Sequence, residues 1–165
     1  MRGRIVRLVL AAIGLYFVWP AIVGYLLYRR QKQLNARRAA WRTDAARTLD
    51  DARLTRDLLD DASRGSIDTA QLQTMKQQTE ATAAALSRLA TTAPDTAARQ
   101  RSRAAGEALT GYIAAIETEQ MVGQDRTQVS EDALVRASEA RRAHARSVDD
   151  ALTQLDTVVH PGQHA

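Results

Sequence analysis

The chain has 165 residues, a formal net charge of +4 and no cysteine, which excludes disulfides, thiolate metal sites and lipid attachment through sulfur. Three arginines precede residue 8 and seven more basic residues lie between 29 and 47, but from residue 48 onward thirteen basic side chains face eighteen acidic ones. A nucleic-acid-binding domain carries its cations on the folded body, so a mildly acidic body with basic flanks near the start excludes that class.

The first element is Leu8 to Tyr28, LVLAAIGLYFVWPAIVGYLLY, 21 residues without a charge. At 1.5 Å rise per residue it reaches about 30 Å, the thickness of a bilayer's hydrocarbon core. Backbone groups in lipid must bond within the segment, so it is expected to be helical, with a bend near Pro20. Tyr25 and Tyr28 fall where amphipathic rings prefer the interface. The run is long for the core of a cleaved signal peptide, and no small-residue cleavage pattern follows it. The expectation is a single-pass anchor in a cell membrane, residues 1–28. More lysine and arginine follows the span than precedes it, which leans toward a cytoplasmic C-terminal domain. The basic set Arg29, Arg30, Lys32, Arg37 and Arg38 is expected to contact anionic headgroups, each contributing about 1 kcal/mol.

Residues 29–159 read as an all-α body. Alanine, arginine, glutamine, leucine and glutamate dominate, all strong helix formers, and no proline interrupts between Pro20 and Pro94. The first segment, 29–63, continues the membrane helix and places Leu34, Trp41, Ala45, Leu49, Ala52, Leu59 and Ala62 on one face. Gly65 is a stop and Ser66 a cap for the second segment, 67–91, with Ile67, Met75, Thr82, Leu86 and Leu89 on a weaker stripe. TTAPD (Thr91–Asp95) is a turn that sets Pro94 in the first turn of the third segment, 95–121. There Ala98, Ala105, Leu109, Tyr112, Ile113 and Ile116 gather. Asp125 and Gln128 suit a capping box before the fourth segment, 126–159, whose stripe is Leu134, Ala137, His144, Val148, Leu152, Leu155 and Val159. Four long helices joined by short turns run antiparallel, as a bundle. The packing face is expected at Leu34, Trp41, Leu49, Leu59, Leu109, Ile113, Ile116, Leu152 and Leu155. Large apolar side chains are sparse, so the core is thin for its length. Residues 160–165 read as a frayed tail.

The same residues offer little chemistry. Histidine occurs at 144, 160 and 164 only, without HExxH or Glu-x-x-His spacing. Arginines flank His144, which disfavours a metal there, and His160 and His164 make a weak pair on a mobile tail. The acid pairs Asp50–Asp51, Asp60–Asp61 and Asp149–Asp150 diverge by about 100° on a helix and read as solvated faces. Arg99, Arg101, Arg103 and Arg141, Arg142, Arg146 read as surface charge paired locally, Arg103 with Glu107 for example. No catalytic constellation, cofactor motif or small-molecule substrate signature is present. The expectation is a non-enzymatic, membrane-tethered helical scaffold or accessory subunit of a bacterial envelope complex. Its partners are then membrane lipid and either another protein or a second copy. The alternatives are a ligand-sensing helical ectodomain and an envelope spacer or lysis accessory, the spacer self-associating through the Trp41–Leu59 face.

Overall fold

A computed structural model describes the backbone of residues 2–65, 68–124 and 130–162, and within those ranges the side chains from Trp19 onward. The described residues are all-α and form four helices: α1 (Arg2–Arg64), α2 (Thr69–Thr92), α3 (Thr96–Gln124) and α4 (Glu131–Val159). It divides into two compact units, Met1–Ala40 and Trp41–Ala165. The second unit holds α2, α3 and α4 with residues 41–64 of α1. The helix of α1 continues past Pro20.

Local chemistry fixes the helix starts. At α2, Asp68 Oδ1 accepts from the Gln71 N–H at 2.7 Å and the Gln71 side chain accepts from the Asp68 N–H at 3.2 Å, a reciprocal capping box. Ser66, the expected cap, lies outside the described residues. At α3 the Asp95 carboxylate accepts from the Ala98 N–H at 2.9 Å. Pro94 therefore precedes the cap and does not enter the first turn: a carboxylate satisfies an orphan N–H, which a proline ring cannot do. At α4, Ser130 has extended cap geometry without a side-chain bond, and Glu131 and Asp132 face the positive helix end. The expected box at Asp125 and Gln128 is outside the described residues.

Within the second unit, residues 41–64 of α1 pack with α2, α3 and α4 in alternating directions. Trp41 meets Leu89, Thr55 meets Thr82, Lys76 meets Glu117, Arg141 meets Glu119, and Arg56 meets Asp149. Partner numbers fall as α1 advances, from Trp41–Leu89 to Thr55–Thr82 on α2 and from Arg53–Asp156 to Arg56–Asp149 on α4. Lys76 in the first half of α2 meets Glu117 late in α3, and Arg141 in the first half of α4 meets Glu119, so consecutive helices are antiparallel and α4 closes back on α1. Tyr112 on α3, fully buried, reaches across the bundle to Asp60 of α1 at 3.4 Å.

Burial is uneven along this unit. Fully buried residues run from Trp41 to Leu59 on α1, Thr79 to Ala90 on α2, Ala98 to Ile116 on α3 and Val148 to Val159 on α4. These form one core around Leu49, Leu86, Leu109, Tyr112 and Leu155. Among the described residues, none in 60–64, 68–78, 117–124 or 130–147 is fully buried. The Trp41 end has a closed core and the Gly65 end does not.

Candidate functional site

At the Trp41 end, apolar packing is pinned by a few polar contacts. The Trp41 indole N–H donates to the Leu89 carbonyl at 3.0 Å, in the last turn of α2, where carbonyls lack an N–H four residues on. The Thr55 hydroxyl donates to the Asp51 carbonyl at 2.9 Å and lies 3.0 Å from that of Thr82. Its hydrogen being used, Thr82 is the donor in that buried pair.

One side of α1 is charged toward α4. Arg56 grips Asp149 with two N–H groups, at 2.8 and 2.9 Å, and adds Asp57 at 3.1 Å. The hydrogen bond to Asp149 leads in holding this guanidinium protonated beyond its ordinary range, against a partial loss of solvent. Asp156 receives Arg53 at 2.9 Å and lies 2.7 Å from His160 Nδ1. Burial works against its charge, but His160 and Arg53 together outweigh it, and its carboxyl sits below the usual carboxylate range. His160 also donates its backbone N–H to the Asp156 carbonyl at 2.8 Å. It is tied to α4 and is not the start of a frayed tail.

The Gly65 end is clamped by polar groups. Arg141 Nη1 donates to Ser63 at 2.9 Å, while its buried Nε sits against the Glu119 carboxylate as an ion pair off the N–H direction. Lys76 and Glu117 pair at 2.9 Å, and the hydrogen bond leads in raising the lysine's pKa. Arg64 meets Asp60 at 2.6 Å. Shallow grooves open between the helices, one of about 590 Å³ lying between the end of α1 and the start of α2.

The anticipated packing face is placed as follows. Trp41, Leu49, Leu59, Leu109, Ile113, Ile116, Leu152 and Leu155 are buried in the core. Leu34, in the first unit, shares the heptad phase of Trp41 and is 47% exposed. The residues of the Trp41–Leu59 face are buried within the four-helix unit. Arg29, Arg30, Lys32, Arg37 and Arg38 are all exposed. His144 does not join the core with its stripe: it is exposed, its ring lying over the backbone of Gly111.

Several charges also differ from the expected pattern. Arg103 and Glu107 line one groove between α2 and α3 without forming an ion pair. Among the acid pairs, Asp60 and Asp149 bind arginines and do not simply face solvent. The partner of Asp149 lies on another helix, where spacing along α4 carries no signal, whereas Asp60 meets Arg64 one turn on in α1, a spacing the sequence does show.

Among the described residues no group of acids and histidines could hold a metal, and no helix is long and apolar enough to cross a membrane. Residues 8–18 of the expected span lie outside the residues whose side chains are described. Its remainder is described: Trp19, Tyr25, Leu26, Leu27 and Tyr28 are each more than half exposed. No protein-family model, curated protein or solved structure matches the chain.

Proposed function

We propose that the chain is a non-enzymatic scaffold or accessory subunit, tethered to a membrane by residues 8–28 and presenting a four-helix bundle to a protein partner in an envelope complex. The observation that carries this reading is the uncovered apolar run from Trp19 to Tyr28, which leads directly into exposed Arg29, Arg30 and Lys32. Such a surface in water is unfavourable by roughly 25 cal/mol per Å² of apolar area, a cost that hydrocarbon removes. The arginines and lysine beside it suit anionic headgroups. On this reading the bundle lies on the cytoplasmic side, following the excess of basic residues after the span.

Carbonate extraction tests the tether, with the chain expected in the membrane pellet; recovery in the aqueous fraction, or with the start removed by signal peptidase, sinks it. Because the chain has no cysteine, Met121→Cys supplies a unique label at a 62% exposed position. Labelling of that site in intact cells by an impermeant reagent would reverse the orientation. Co-purification in mild detergent tests the scaffold role, and recovery of the chain alone at native abundance counts against it.

A further inference from the structure

Neither the anchor nor the bundle core uses the outer strip between α1 and α2. Leu54 and Leu58 are 62% and 49% exposed there, one helical turn apart. Leu58, with Ala62, Ala70 and Met75, lines the groove of about 590 Å³, edged by Asp61 and Asp68. Leu54, with Ala81 and Ala85, lines a neighbouring groove of about 250 Å³ edged by Asp51, and Gln78 borders both. Among the described residues no lysine or arginine lines either groove, in a chain that has 23. From Asp51 to Gly65 the strip follows about 20 Å of helix, four turns.

We propose that this strip docks an amphipathic helix of the partner protein, its apolar stripe covering Leu54 and Leu58 and its flanking lysines or arginines meeting Asp51, Asp61 and Asp68. The proposal rests on the scaffold reading above and names the chemistry of the partner. Charge selects the occupant. A second copy laid on the same face about a two-fold axis would bring this acidic rim onto itself, and an anionic lipid surface would meet the same repulsion. A basic helix turns the rim into attraction while burying both leucines, the usual arrangement of a helix in a groove.

The test uses the full-length chain in nanodiscs of zwitterionic lipid, with empty nanodiscs as the blank. A fluorescent leucine–lysine amphipathic peptide of about 15 residues, matched in length to the strip, is titrated by anisotropy beside its leucine–glutamate counterpart. The lysine peptide is expected to bind and the glutamate peptide not. The double change L54Q/L58Q should weaken binding about tenfold or more, with the melting temperature unchanged because both sites are exposed. D51N/D61N should weaken it about threefold and flatten its salt dependence. Equal binding of both peptides, or indifference to L54Q/L58Q, overturns the proposal; if native partners still co-purify, the scaffold reading survives that result. A disulfide-linked dimer formed by Leu58→Cys chains assigns the face to a second copy and overturns it equally. If nothing co-purifies with the native chain, the scaffold reading itself has failed and takes this proposal with it.

Discussion

The two ends of the four-helix unit are held by different physics. At the Trp41 end, Leu49, Leu109 and Leu155 are completely buried, and hydroxyl and indole contacts only fix register. At the Gly65 end the helices are joined by Arg141 and Lys76, with no described residue fully out of water. Area removed from water dominates stability, while exposed ion pairs add about 1 kcal/mol or less each. The difference teaches that one end supplies folding energy and the other supplies adaptable surface.

Leu49→Ala should break the comparison most visibly, costing about 2–5 kcal/mol in chemical denaturation and lowering hydrogen-exchange protection in all four helices. Equal protection at both ends of the wild-type bundle would contradict the contrast outright. Thr55→Val should cost about 1–3 kcal/mol, because it strands the donor of Thr82. Thr82→Val should cost less, since Thr55 keeps its bond to Asp51; the reverse order would reassign the donor. Arg141→Ala should cost about 1 kcal/mol, with added exchange confined to the Gly65 end.

Gly111→Ala has a smaller effect of opposite sign. A Cβ there would approach His144 Nδ1 to 2.9 Å, but that ring is exposed and can swing away. The helix then gains about 0.5–1 kcal/mol of propensity, measured as a higher Tm. Asp156 gives a pH signature. A carboxyl with a depressed folded pKa binds fewer protons when folded, so its stabilisation is complete above the unfolded value of about 4 and fades as pH falls through the folded value. The stability gap between wild type and Asp156→Asn should therefore be present at neutral pH and close in acid.

Much of the bundle was readable from residue order. Leu49, Leu59, Leu109, Ile116 and Leu155 follow helical spacing, and burial needs nothing else. Leu34 shares that spacing and is 47% exposed, because periodicity reports phase and not burial. Val148 to Val159 was legible as a buried stripe, whereas Leu134, Ala137 and His144 continue the pattern without being fully enclosed. The candidate strip was invisible in the sequence. Leu54 and Leu58 lie off the core-facing stripe, and their acidic border combines Asp51 and Asp61 of α1 with the cap of α2, Asp68.

The tryptophans place an optical probe in each unit. Trp41 is 5% exposed with its N–H bonded, and Trp19 is 63% exposed. Removing Trp19 leaves Trp41 as a single emitter whose red shift would follow loss of the closed core in real time. Removing Trp41 instead leaves an indole that brominated acyl chains should quench if the proposed tether holds, a direct depth gauge for residues near Trp19.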